Sequence, residues 1–139
     1  MKWRVAVDRA LAPLGLTHAK YVFLASLFGL LRGGRAPSQR ELADETGLEA
    51  LYISKLARSL EAECLIERVR DERDTRSVRL TLTDLGSERI GPAMTTVSGL
   101  LEEMLSPLGG VDDPRTTALV RDLMSLLDNP LDPPDPEEH

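Results

Sequence analysis

Arg73 and Arg76 stand three residues apart in the run Asp71-Glu72-Arg73-Asp74-Thr75-Arg76, interleaved with carboxylates. A guanidinium is a planar fork of donors that matches phosphate oxygens and base edges. On a projecting loop such a fork also suits the enhanced negative potential of a narrow DNA minor groove. Asp71 and Asp74 are placed to hold the two guanidinium groups before binding. The competing reading is a solvated turn whose ion pairs contribute about 0–1 kcal/mol.

A second group of donors precedes this run. Leu51, Tyr52, Ser54, Lys55 and Arg58 occupy the outward positions of a helix expected over residues 49–63. Tyr52, Ser54 and Lys55 offer hydrogen-bond donors to base edges, and Leu51 offers an apolar surface for a thymine methyl. The alternative places Leu51 and Tyr52 in the core. Ser38, Gln39 and Arg40 open an earlier helix, whose first backbone N–H groups suit a phosphate. Simple capping by Ser38 is compatible with that contact.

Other chemistries lack their residues. One cysteine, Cys64, and two distant histidines, His18 and His139, form no metal-ligand cluster. The acids around Cys64 (Glu61, Glu63, Glu67) oppose a reactive thiolate, so it reads as structural. There is no Gly-rich phosphate loop and no nucleophile paired with a base. No cofactor, metal or enzymatic activity is expected.

The elements that must position these residues follow from periodicity. Trp3, Val7, Ala10, Leu11 and Leu14 predict a short amphipathic helix over 2–12, stopped near Pro13 and Gly15. Thr17 caps a second helix to about Arg32, apolar around nearly its whole circumference and so buried on most sides. Ser38 and Glu41 have the spacing of a capping box. The helix they start ends near Thr46, Gly47 turns the chain, and Leu48, Ile53 and Leu56 point inward. The period then changes from helical to alternating, predicting strands over 65–70 and 77–83 with the charged run at their tip.

Thr83-Asp84 caps a long helix expected over 85–108. Ile90, Met94, Val97, Leu101, Met104 and Leu108 form a heptad seam along it. A final helix over 113–127 presents Leu119, Leu123, Leu126 and Leu127. Residues 129–139 combine four prolines with four acids, the composition of a disordered tail.

Size and charge fit this plan. A chain of 139 residues with 42% hydrophobic and only 4% aromatic content makes one domain whose core is readily completed by a second copy. No apolar stretch is long enough to span a membrane, nothing at the N-terminus resembles a secretory signal, and the single cysteine suits a cytoplasmic setting. The net charge of −6 lies wholly outside residues 32–79, where ten bases balance ten acids. An acidic body with local arginines keeps a protein soluble while supplying phosphate contacts.

The run Pro37–Gly47, then Tyr52-Ile-Ser-Lys-Leu, then Leu60–Arg68, is similar to the MarR (multiple antibiotic resistance regulator) family. Asp71–Arg76 resembles that family's wing signature, and Leu82-Thr-Asp-Leu-Gly86 its exit from the wing. The likeness is close over about residues 16–90. Cys64 stands where the family usually has Gly, which predicts a turn out of the helix that is either strained or differently shaped. Leu51 and Tyr52 are bulkier than the small polar residues usual at their positions.

The resemblance implies a mainly α fold with a small β-wing. Its winged helix-turn-helix, over 33–84, would lie between dimerisation helices at 1–32 and 85–128, with the tail from 129. It further implies a homodimer on a pseudo-palindromic DNA operator, acting as a repressor. Base-reading positions fall near Leu51, Tyr52 and Lys55, and wing contacts on Arg73 and Arg76. A small phenolic or lipophilic effector would sit in a cleft near Trp3, His18, Tyr21 or Phe28, although helical spacing alone places all four in the core. A winged-helix module that docks protein and not DNA is the alternative.

Overall fold

Apolar spacing and caps set the first helices of the computed structural model, which describes residues 2–74 and 76–129. Helix α1 (Lys2–Leu11) buries Val7 and Leu11, then tightens into a 3-10 turn at Ala12–Leu14 around Pro13. Gly15, at φ +72°, turns the chain, and Thr17 starts helix α2 (His18–Arg32) by accepting the Lys20 N–H at 3.2 Å. A side-chain cap of this kind contributes typically about 1 kcal/mol. Helix α2 buries Phe23, Leu24 and Leu27. The expectation that it is buried on most sides is corrected: Tyr21, Val22, Phe28, Leu30 and Leu31 are only half-buried within a single chain.

Helix α3 (Gln39–Thr46) starts where Ser38 Oγ accepts the Glu41 N–H at 3.1 Å. The return half of the expected capping box is replaced, because the Glu41 carboxylate goes to guanidinium groups of Arg35 and Arg79. Gly47, at φ +72°, closes α3 and permits the abrupt turn into helix α4 (Ala50–Ala62). Helix α4 turns Ile53, Leu56, Ala57 and Leu60 inward. They join Leu42, Leu65, Ile66, Leu80, Ile90 and Ala93 in one core. Strands β1 (Ile66–Arg70) and β2 (Val78–Leu82) pair antiparallel, Ile66 opposite Leu82 and Arg70 opposite Val78. Pro37 accepts the Leu80 N–H at 2.8 Å, which ties the segment before α3 to the outer side of β2.

The exit from α4 is a two-bond C-terminal motif. Leu65 N–H donates to Leu60 C=O at 2.9 Å, and Cys64 N–H to Glu61 C=O at 3.0 Å. The motif forces Cys64 to φ +61°, the only non-glycine at positive φ among the described residues. Strain, one of the two outcomes expected at this position, is thus present, and the thiol is exposed. Thr83 secures the same corner: its hydroxyl donates to Cys64 C=O at 2.6 Å and accepts the Gly86 N–H at 3.0 Å. Gly86 packs so closely that a Cβ there would collide with the Leu65 carbonyl.

Helix α5 (Asp84–Met104) is shorter than expected. Leu105 leads into a 3-10 turn at Ser106–Leu108, because Pro107 has no N–H to extend the helix. The heptad seam therefore stops at Met104, and Leu108 lies on the turn. Along the seam Ile90 is buried, Met94, Val97 and Leu101 are half-buried, and Met104 is 51% exposed.

Residues 2–98 form one compact unit and those from 99 a second. In the second, Gly109 and Gly110 both take positive φ. Asp113 caps helix α6 (Pro114–Leu127) by accepting the Arg115 N–H. The buried Thr116 hydroxyl donates to Gly110 C=O at 2.6 Å, and Glu102 accepts the Val111 N–H at 3.0 Å. The expected tail lies outside the described residues except for Asn129. Among those residues no single helix is long and apolar enough to cross a membrane.

The Cys64 geometry yields a stability prediction. A left-handed conformation costs an L-residue roughly 1–2 kcal/mol, partly offset by the extra freedom glycine brings to the unfolded chain. Cys64→Gly is expected to stabilise the fold by about 0.5–1 kcal/mol. Thermal melts of C64G beside C64A check it; a lower midpoint for C64G than for C64A would contradict the strain.

Candidate nucleic-acid interface

Once Ile53, Leu56, Ala57 and Leu60 face inward, the 3.6-residue period assigns the other faces of α4. Leu51, Lys55 and Arg58 fall opposite the core and are exposed. Leu51, at 59% exposure, does not belong to the core. The outward row thus combines an apolar side chain with two cations, following an N-cap at Glu49 whose side chain makes no capping bond. Ser54 is half-buried on one flank.

Tyr52 lies on the other flank. It is 39% exposed and lines a cleft of about 300 Å³ with Arg4, His18, Ala19, Val22 and Leu48. A neighbouring hollow of similar volume shares Arg4, Ala19 and Tyr52 and adds Asp8, Ala12, Leu16 and Thr17. Asp8 accepts the backbone N–H of His18 at 2.7 Å, tying the start of α2 to α1. The cleft offers a guanidinium, an imidazole and a phenol beside the apolar Val22 and Leu48. His18 is part of it. Trp3, Tyr21 and Phe28 are half-buried elsewhere. Burial raises the Tyr21 phenol above its ordinary pKa, and the Phe28 ring lies 5.8 Å from the Arg32 guanidinium.

At the start of α3, Ser38 and Gln39 are half-buried and Arg40 is exposed. The Ser38 hydroxyl oxygen accepts as the helix cap. Its proton remains available to donate.

The wing departs from the expected arrangement in one instructive way. Asp71 Oδ1 accepts the backbone N–H of Arg73 at 2.9 Å, and Asp74 Oδ1 that of Arg76 at 3.1 Å. The two acids therefore shape the loop backbone and do not hold the Arg73 and Arg76 guanidinium groups. Short carboxylate side chains reach a backbone N–H two residues on more readily than the end of a long arginine. Among the described residues neither guanidinium has an ion-pair partner, and both arginines are exposed. Asp71 N–H donates to Ser77 C=O and Ser77 N–H to Asp74 C=O, both at 2.9 Å, closing the loop.

The guanidinium that Asp71 does hold belongs to Arg79. Arg79 Nε lies 3.3 Å from Asp71 Oδ2, and Nη1 lies 2.7 Å from Glu41 Oε1. Arg35 Nη2 reaches the same Glu41 oxygen at 3.1 Å. The Arg73 N–H, seconded by Arg79, holds the Asp71 carboxyl below its ordinary pKa. Glu41, followed by Asp71, raises that of Arg79.

Arg79, Glu41, Arg4 and Leu48 were absent from the sequence-based site. Glu41 and Arg79 are 38 positions apart and belong to different elements, so periodicity carries no sign of their pairing. Among the described residues no three His, Cys, Asp or Glu side chains are grouped to hold a metal ion.

No family model matches the sequence. A curated relative, an uncharacterised HTH-type transcriptional regulator YdcH of Bacillus subtilis, is 34% identical over 95 residues. That match spans 68% of this chain and 65% of the relative's own length. Among solved structures, the Staphylococcus aureus MepR–DNA complex superposes with a TM-score of 0.77 at 22% identity, covering 90% of each chain. A mutant MarR of Escherichia coli, complexed with operator DNA, gives 0.75 at 21% identity, over 92% of this chain and 86% of that one. CouR, a transcriptional repressor bound to a 23-mer duplex, gives 0.74 at 26% identity, over 91% and 84%. With its helix-turn-helix and two-stranded wing, the chain has the winged-helix fold of these MarR-type structures, and it spans just under two thirds of the curated regulator it matches.

Proposed function

We propose that the protein is a homodimeric, sequence-specific DNA-binding transcriptional regulator, a repressor relieved by a small effector. One observation carries the DNA reading: an outward row of Leu51, Lys55 and Arg58 on α4 accompanies a wing whose exposed Arg73 and Arg76 guanidinium groups have no ion-pair partner among the described residues. A helix in the major groove uses such a row, and the wing arginines suit the adjacent minor groove or phosphates. Ser38, Gln39 and Arg40 at the start of α3 add a phosphate contact. The solved DNA complexes of MepR, MarR and CouR support the same reading.

Dimerisation is supported by apolar surface that one chain leaves uncovered. On α6, Leu119, Val120, Leu123 and Met124 are exposed, and Leu126 and Leu127 are 71% and 78% exposed. Within the same unit, Leu101, Met104, Leu105 and Val111 border a groove of about 560 Å³ with α6. Soluble proteins rarely leave a contiguous apolar surface of this kind in water. A second copy covers it, and two-fold symmetry then sets the spacing of the reading heads.

The effector is assigned to the cleft of Arg4, His18, Val22, Leu48 and Tyr52. Its cationic and phenolic groups beside apolar walls suit a small phenolic or lipophilic molecule. Tyr52 belongs to α4, so an occupant would press directly on the helix that reads DNA.

Selection of bound duplexes from a random pool tests the reading. The expected product is a palindrome with half-sites about one helical turn apart; recovery of unenriched sequence would instead favour a protein-docking module. On the selected duplex, Arg73→Ala or Arg76→Ala is expected to weaken binding by roughly 1–3 kcal/mol and reduce the salt slope by about 1. An unchanged slope in both would remove the wing from the interface.

The wing also has a defined acid response. The folded pKa of Asp71 lies below the ordinary 3.8, so its contribution is complete above that value and is lost as pH falls through the depressed one. Carboxyl NMR should show Asp71 titrating below 3.8; titration at or above it would contradict the hydrogen bonding described.

A further inference from the structure

The geometry points to Arg79 as a positioning residue that clasps the wing to the first helix of the motif, through Glu41 on one side and Asp71 on the other. This inference rests on the DNA-binding reading but names a residue outside the proposed DNA contacts. Arg79 lies on β2, Glu41 in the first turn of α3, and Asp71 at the base of the wing loop. One guanidinium reaches both acids, at 2.7 Å and 3.3 Å. Its side chain is only 22% exposed, so the fork is shielded from solvent more than an ordinary surface pair.

The arrangement has a mechanical consequence. Asp71 uses its second oxygen to accept the Arg73 N–H, so the group that fixes Arg79 also sets the backbone from which Arg73 projects. Within the wing loop, backbone bonds join Asp71 to Ser77 and Ser77 to Asp74, and the Leu80 N–H to Pro37 C=O bond ties β2 to the segment before α3. A two-stranded ribbon is marginally stable by itself. With Arg79 in place, the wing arginines and α4 meet DNA as one preorganised surface. Lysine cannot substitute fully, because a single ammonium lacks the planar fork that engages two carboxylates in fixed directions.

Two readouts separate positioning from direct contact, using the full-length chain. The first needs no DNA: amide hydrogen exchange at Asp71 and Ser77, both hydrogen-bonded within the wing. Arg79→Met is expected to speed that exchange by about fivefold or more, with Arg79→Lys in between. Glu41→Gln approaches the same clasp from α3, and should act in the same direction while exchange in α4 is unchanged. The second is binding of the selected duplex across a salt series. R79M and E41Q should each weaken it by about three- to tenfold at unchanged salt slope, and together by less than the product of the two.

Unchanged wing exchange in both variants overturns the clasp. A salt slope reduced by about 1 in R79M also overturns it, because Arg79 would then be touching phosphate itself. If the wild-type chain selects no duplex, the DNA reading fails by itself, and the exchange experiment still decides whether the clasp exists.

Discussion

Burial of one face of α4 is the constraint on which the rest of the winged helix-turn-helix depends. Ile53, Ala57 and Leu60 are wholly enclosed and Leu56 nearly so, which fixes the rotation of the helix about its axis. Ile53, Leu56 and Leu60 each contribute about 1.5–3 kcal/mol when moved out of water, so rotating the helix by one position is strongly opposed. Everything outward follows from that rotation: Leu51, Lys55 and Arg58 to solvent, Tyr52 toward α1 and α2, Ser54 to the opposite flank. Core packing thereby aims a surface that contributes little to the core itself.

The two ends of α4 are secured by different means. At the start, Gly47 turns the chain at positive φ, where glycine carries no Cβ penalty. At the finish, Cys64 adopts the same kind of conformation at a cost, held there by the Leu65 and Cys64 backbone bonds and by Thr83. The strain persists because the corner joins α4, β1 and the start of α5, and all three would shift if it relaxed. Local penalty and tertiary gain are thus set against each other at one residue, and the tertiary gain is larger.

Charge works by placement and not by amount. Residues 32–79 are electrically balanced, so the helix-turn-helix and wing carry no net positive charge. Asp71 and Asp74 are engaged by loop backbone, and Asp71 also by Arg79, while Arg73 and Arg76 have no internal ion-pair partners among the described residues. Near a phosphate backbone, an unpaired guanidinium loses no existing ion pair on binding, whereas Arg79 would have to give up two. In the proposed reading the same short run supplies both the scaffold and the contacts.

The sequence by itself determined the order and type of the elements. Thr17, Ser38 and Gly47 mark helix boundaries through local hydrogen bonds and backbone preference, and Val78 to Leu82 mark a strand through alternation. It also determined which segment carries the outward donors, since a period of 3.6 names opposite faces once one face is apolar. The resemblance marked Cys64 as a residue replacing the usual Gly in a turn either strained or differently shaped, and the structure shows it left-handed. Only the tertiary structure decided which charges meet. Asp71 was matched with its nearest arginines in sequence but holds Arg79, and Glu41 leaves its own capping box to join it across 38 residues. Pro107 cut the heptad seam short because a missing N–H outweighs an apolar pattern. Periodicity is a property of one element, whereas ion pairs and clefts are made between elements, and that is where the sequence stopped being sufficient.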